Sequence, residues 1–148
     1  MKNEYTVLQA LATVIGNQIG QYIDVELPTL TSDNVLIDFP NTDKMPKNSM
    51  IYVQPDFAEY QALATQNDQA SFRVSVFVIC KRDTQAELSL KYLSYFNALY
   101  ELLRTNTDLD GAVDFVDIIN TDFYPAIEGD FNVKGVEISV SVRYTKDF

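Results

Sequence analysis

The sequence contains no histidine, no tryptophan and one cysteine, and its 11 Lys and Arg residues face 21 Asp and Glu. Without histidine, Ser-His-Asp and Cys-His catalysis, most zinc sites and the usual neutral-pH proton shuttle are all excluded. One cysteine makes no internal disulfide. Cys80 lies on an apolar row of a strand-like stretch, which points to a buried, inert thiol. A formal net charge of −10 argues against gripping nucleic acid through phosphate contacts, which need clustered Lys and Arg. Carboxylate-only glycoside chemistry stays formally open, but the missing tryptophan removes a common sugar platform, and acids without a recognisable pocket are mostly surface. Long hydrophobic runs are also missing. VLQALATVIG follows Lys2 and Glu4, is interrupted by Gln9 and is followed by Asn17 and Gln18, so it makes neither a signal-peptide core nor a membrane span. The expectation is a soluble, cytoplasmically made protein with no membrane partner.

What is present describes an ordinary globular chain, 47% hydrophobic and 22% charged over 148 residues, read as one domain spanning 1–148. Residues 4–23 place Leu8, Leu11, Ala12, Ile15, Ile19, Tyr22 and Ile23 at helical spacing. Thr6 with Gln9, or a start at Asn3, supplies the cap. Gly16 and Gly20 weaken this helix and allow another backbone to come close. Between 28 and 56, Pro28, Pro40, Pro46 and Pro55 separate short extended runs at 35–39 and 50–54. Residues 57–65 then lead through QNDQ into SFRVSVFVICKR (71–82), which suggests a hairpin with an extended arm.

That last stretch has apolar residues on both faces. Phe72, Val74, Val76, Val78 and Cys80 form a core row, while Arg73, Ser75, Phe77, Ile79 and Lys81 form a second row, polar at its ends and apolar in its middle. The second row reads as a face partly covered by another protein surface. A second helix follows, capped by Asp83 or Thr84 with Glu87, and striped by Leu88, Tyr92, Phe96, Leu99 and Leu103. Tyr95, Tyr100 and Leu102 widen that stripe beyond what packing on one sheet requires. A turn at Asp110-Gly111, a strand over 113–123, a loop around Pro125 and Gly129, and a strand over 134–145 complete the chain. In the last strand Val136, Ile138, Val140, Val142 and Tyr144 alternate with polar residues, and burying that row contributes on the order of 10 kcal/mol before chain entropy is charged. The order predicts an α+β two-layer sandwich: a mainly antiparallel sheet with two helices on one face.

Two acidic features invite a functional reading. In NTDLDGAVDFVD, residues 106–117, Asn106, Asp108, Asp110 and Gly111 fit the first half of a calcium loop, with Asp114 and Asp117 at later ligand positions. Against it stand Asn at the first position, Asp at the last, and strand character where an exit helix is required. More broadly, Asp108, Asp110, Asp114, Asp117, Asp122, Glu128 and Asp130 occur between Arg104 and Lys134 with no base among them. Such a surplus keeps a surface solvated, or repels a passing polyanion.

The N-terminal helix, the Pro-punctuated strands, the hairpin ending in SFRVSVFVICKR, the helix TQAELSLKYLSYFNALYELLRT, the turn DLDG and the strand KGVEISVSVRYT together resemble the tail-terminator (tail-completion) proteins of long-tailed bacteriophages and related head-tail neck proteins. The resemblance lies in the order and length of elements across nearly the whole chain, without a signature motif. It implies a non-enzymatic structural protein of the virion, assembled in the bacterial host cytoplasm. It further implies a homo-oligomeric ring of six subunits on the last ring of tail-tube protein, contacting the head connector and other neck proteins, with DNA only in transit and no cofactor or metal. Tyr60, Leu63, Phe77 and Ile79 are the expected subunit contacts, and Asp108, Asp110, Asp114 and Asp117 the expected acidic lumen or surface. The alternatives are another neck component (head closure or adaptor) and a monomeric α+β binding module whose acidic loop takes calcium.

Overall fold

Asn3 closes the N-terminus of the first helix, α1 (Glu4–Gln18). Its side-chain oxygen accepts from the Thr6 amide at 2.9 Å while the Thr6 hydroxyl accepts from the Asn3 amide at 2.9 Å, a reciprocal cap that satisfies donors a helix otherwise leaves orphaned. The start at Asn3 is therefore the correct alternative. The periodic run to Ile23 does not stay α-helical, because its last turn tightens into a 3-10 segment, Ile19–Tyr22. Gly16 permits a close approach here: a Cβ on it would sit 2.8 Å from the Ser32 Cα.

The computed structural model describes residues 2–24 and 26–148. After α1 come β1 (Val35–Ile37), β2 (Ser49–Ala64), β3 (Asn67–Lys81), α2 (Leu88–Thr105), β4 (Phe115–Tyr124) and β5 (Val133–Asp147). The five strands form one mixed sheet in the order β1-β2-β3-β5-β4. Only β1 pairs in parallel, with β2, and the other pairings are antiparallel. The arm is longer than the short run at 50–54 suggests, since β2 continues through 57–64, whose pattern fits a strand and a helical turn equally well, and pairs with β3 to the hairpin tip.

Both helices cover one face. The core row of β3, the apolar row of β5, Ile51 and Val53 of β2, and Val116 of β4 pack with Leu11, Ile15, Leu99, Leu102 and their neighbours into one cluster. This is the α+β arrangement read from the sequence. Cys80 lies in that cluster, fully buried, and burial pushes its thiol up to about 11 despite the Ser49 hydrogen bond. Tyr95, fully buried like Tyr144, satisfies its hydroxyl at 2.6 Å on the Pro28 carbonyl.

The second helix begins at Leu88, preceded by Glu87, which makes no side-chain cap. Asp83 is not a cap. Its carboxylate accepts instead from the Gln85 amide and from Lys91, whose ammonium is 2.7 Å away and which is 1% exposed. A desolvated ammonium needs a counter-charge more than a helix end needs a cap, so Lys91 recruits Asp83.

Candidate assembly interface

Neither α1 nor α2 covers the other face of the sheet, and its side chains run in rows across the strands. The pairing places Tyr52, Phe77, Glu137 and Asp122 in one row and Gln54, Ser75, Ser139 and Asn120 in the next. Toward the arm follow Phe57, Arg73, Ser141 and Asp117, then Glu59, Ser71, Arg143 and Phe115. This face thus has an acidic, aromatic half and a half with two arginines. Arg73 lies with its guanidinium 5.3 Å from the centre of the Phe57 ring.

The apolar middle of the second β3 row is partly covered by the chain itself. Ile79 is 1% exposed and packs with Met50, Tyr52 and Val133 in a second cluster, closed by Met45, Phe77 and Ile127. The cover comes from the loop between β4 and β5, where Glu128 and Gly129 both have positive φ, 53° and 79°, as the turn closing the Ile127–Asp130 bridge requires. Gly135 leaves room for the Ile79 side chain to fold over it beneath this loop, since a Cβ there would stand 2.7 Å from Ile79 Cδ1 and 2.8 Å from the Val78 carbonyl oxygen, with Ile127 Cδ1 of the loop at 3.6 Å. Ile79 therefore offers no surface to a neighbour. That expectation is corrected: the covering surface is intramolecular.

Phe77 remains half-buried beside this cluster, its ring 6.2 Å from that of the exposed Phe39 and edge-on to it. Between the Phe39 loop and the β4–β5 loop runs a groove of about 580 Å³ with Phe77, Ser75 and Glu137 on its floor. Glu137 is fixed from two sides, its carboxylate accepting from the Ser75 hydroxyl at 2.9 Å and the Tyr124 hydroxyl at 2.8 Å. The hydrogen bond to that carboxylate, with burial and the nearby charge, pushes the Tyr124 phenol up to about 12.

Tyr60 is not on the face that carries Phe77. A bulge between Pro55 and Phe57 shifts the register of β2, and Tyr60 then pairs with Ala70 on the helix side. There it donates to Glu4, and the Lys146 ammonium lies 5.1 Å from the centre of its ring. Leu63 stands near the hairpin tip, 56% exposed, beside a second irregularity between Ala62 and Ala64. Of the four expected contact residues, Leu63 and Tyr60 are therefore on the arm, Phe77 is in the groove and Ile79 is in the interior.

The four acids are likewise dispersed. Asp110 is occupied, accepting from the Gln18 amide at 2.8 Å and from the Asn106 amide at 2.8 Å. The Asp108 carbonyl, not its carboxylate, closes the turn by accepting from the Gly111 and Val113 amides. Asp114 immediately precedes β4, and Asp117 sits on the open sheet face opposite Ser141. The calcium-loop reading fails on geometry. Asn106 donates its side-chain amide to Asp110 where both should present oxygens to a cation, and β4 stands where the exit helix belongs.

The clearest unclaimed surfaces lie at the two ends of the sheet. At one end β1 pairs with only residues 51–53 of β2, so the outer edge of the arm beyond Val53 has no strand partner among the described residues. Leu36, Ile37, Phe57 and Leu63 are exposed there. At the other end β4 has β5 on one side only, and Leu93, Tyr100, Ile119 and Phe123 are exposed around it. Phe96 joins that patch, with its ring 5.3 Å from Phe123 and 6.1 Å from Tyr100. Of the residues that widen the α2 stripe, Tyr95 and Leu102 are fully buried in the main core and only Tyr100 joins Leu93 and Phe96, at helical spacing, in this patch.

No family model matches this chain, and no curated protein does. Among solved structures, the chain resembles one from the virion of a native gene transfer agent particle, with 11% identity, a TM-score of 0.43, and coverage of 96% of this chain and 91% of that one. It also resembles a sheath/tube terminator of an extracellular contractile injection system in the extended state, at 10% identity and a TM-score of 0.51. That match covers all of this chain and 58% of the terminator, so the chain spans little more than half of that protein's length. The fold resemblance anticipated from the order of elements is thus found in a terminator of an injection system.

Proposed function

We propose that this protein is a non-enzymatic structural subunit of a phage-type tail, acting as a terminator: a ring of six copies at the head-proximal end of the tail tube that ends tube growth and joins the tail to the head. The observation that carries the reading is the pair of unpaired sheet edges, each bordered by exposed apolar side chains, at opposite ends of one sheet. Two different surfaces on one subunit make a head-to-tail contact, and such contacts close into rings when the rotation allows. The shared fold with a sheath/tube terminator supports the same reading. No described helix is long and apolar enough to cross a membrane.

In this reading Leu63 and Phe57 of the arm meet the β4 edge of the next copy, and the tail-tube protein and the head connector dock on the ring's two axial faces. DNA passes through the pore without adhering, which the net charge of −10 favours. Asp122, on the open sheet face in the half without arginines, is the acid best placed to contribute to a repulsive lining. Assembly takes place in the host cytoplasm and the protein ends in the virion.

The test is solution mass by light scattering across a wide concentration range, with negative-stain images of the largest species. A closed ring with a central pore is the expected result. A monomer up to the solubility limit, with no ring in any image, overturns the self-assembling ring.

A further inference from the structure

We infer that the open-face groove is a docking site for an arginine-bearing, apolar-flanked segment of another polypeptide. Its apolar lining comes from Phe39 and Phe77, edge-on at 6.2 Å between wall and floor, and from Ile127 on one side. Its charge has one sign. Asp56, Glu128 and Glu137 line it, and no Lys or Arg does among the described residues. At about 580 Å³ it is the size of a pocket for a few side chains.

The form of the charge selects the guest. Each oxygen of Glu137 already accepts one hydroxyl, from Ser75 and from Tyr124, so the carboxylate is held in one orientation with one lone pair left on each oxygen. A fixed carboxylate with two free acceptor sites matches the planar two-pronged donor of a guanidinium better than the point charge of an ammonium. The aromatic lining suits the same guest, since a guanidinium stacks on ring faces and its stem is apolar. The site is preorganised, which lowers the ordering cost of binding. In the proposed ring the copies meet through the arm and the β4 edge, not through this groove, and the net charge of −10 surrounds the groove with a negative field. A cationic segment of a different protein is drawn in by the same field. That this protein is a neighbour in the tail assembly rests on the proposed terminator role, whereas the chemistry of the groove does not.

The probe is the tripeptide acetyl-Phe-Arg-Leu-amide, titrated into the full-length protein and followed by amide chemical shifts, with acetyl-Phe-Glu-Leu-amide and acetyl-Phe-Lys-Leu-amide as controls. Saturable shifts confined to Ser75, Phe77, Ile127, Glu137 and their neighbours are expected for the arginine peptide, with a dissociation constant of about 1 mM, the scale of a small unoptimised ligand. The lysine peptide binds several-fold more weakly and the glutamate peptide not at all. Glu137→Gln weakens the arginine peptide at least fivefold, and Phe39→Ala, at an exposed position outside both core clusters, weakens it severalfold.

Absence of saturable shifts overturns the inference, as does equal binding of the glutamate peptide or unchanged affinity in both variants. If the same resonances move with protein concentration and no peptide, a second copy occupies the groove and the inference also fails. Because the titration reads monomer and ring alike, a failed ring assembly and a failed groove are separate results.

Discussion

Lys146, near the end of β5, places its ammonium 2.8 and 3.0 Å from the two carboxylate oxygens of Glu4, in the first turn of α1. The contact closes a separation of 142 positions and fastens the first helix to the arm, since Tyr60 donates to the same carboxylate. Burial alone would raise the Glu4 pKa, but the hydrogen bonds from Lys146 and Tyr60 outweigh it and hold the group at about 2, against 4.5 for a free side chain. The folded-state value lies below the unfolded one, so this stabilisation is present above pH 4.5 and fades as the pH falls toward 2. Glu4→Gln is therefore expected to cost about 1 kcal/mol at neutral pH, the scale of a partly exposed ion pair. The difference from wild type should close between those two pH values. Urea midpoints measured across that range check both the size and the window, and a difference that persists at pH 2 contradicts the assignment.

The Asp83–Lys91 pair makes an asymmetric prediction. Lys91 is almost fully buried, with the Asp83 carboxylate at 2.7 Å and the Lys81 carbonyl at 2.9 Å as its partners. Asp83→Ala strands an ammonium in the interior and is expected to cost about 3 kcal/mol. Adding Lys91→Met to that variant removes the stranded charge and should recover most of the loss, because a buried ion pair contributes little beyond an apolar side chain of similar shape. Denaturant unfolding of the two single variants and the double variant closes the cycle.

At Gly135 the prediction is steric. A methyl group would meet both the Ile79 side chain, at 2.7 Å, and the Val78 carbonyl, at 2.8 Å. Gly135→Ala should cost about 2 kcal/mol, as overpacking does. Shortening the movable neighbour with Ile79→Val should relieve less than half of that cost, since the backbone oxygen stays in place. Full recovery in the double variant would mean that only the side chain resists.

The same residues explain what was legible in the sequence. Periodicity located both helices and β3, β4 and β5, and the alternation in β3 and β5 identified the core face, because those two strands pair without a break in register. It failed where the register breaks. Counting by twos from Tyr52 puts Tyr60 on the open face, but the bulge after Pro55 reverses the parity and carries it to the helix side. Nothing local to SFRVSVFVICKR says that Ile79 is covered by a loop almost fifty positions later. Glu137 read as one more outward polar residue of an alternating strand. Its role depends on Ser75 and Tyr124, which only the strand order β3-β5-β4 brings to it. Lys91 was hidden for a related reason: a lysine in an amphipathic stripe looks solvated until its partner is known.

The two-edge model of assembly makes the last prediction. Leu63 on the arm and Ile119, the extra residue in the β4 bulge, are both exposed and lie at opposite ends of the sheet, so a charge at either position should leave the fold intact. Lysine is the informative replacement, because it lowers the net negative charge and any loss of assembly cannot be blamed on added repulsion between copies. If the contact is head-to-tail, Leu63→Lys and Ile119→Lys each disable one of its two surfaces, and each variant alone stays monomeric. Mixed one to one, the intact β4 edge of the first variant still meets the intact arm of the second, so a heterodimer forms and growth stops there. Light scattering should then give twice the monomer mass and no ring. A self-paired edge behaves differently: one variant would assemble like wild type, the other would not, and mixing would add nothing. The mass of the mixture therefore separates a ring-forming contact from a symmetric dimer without identifying any axial partner.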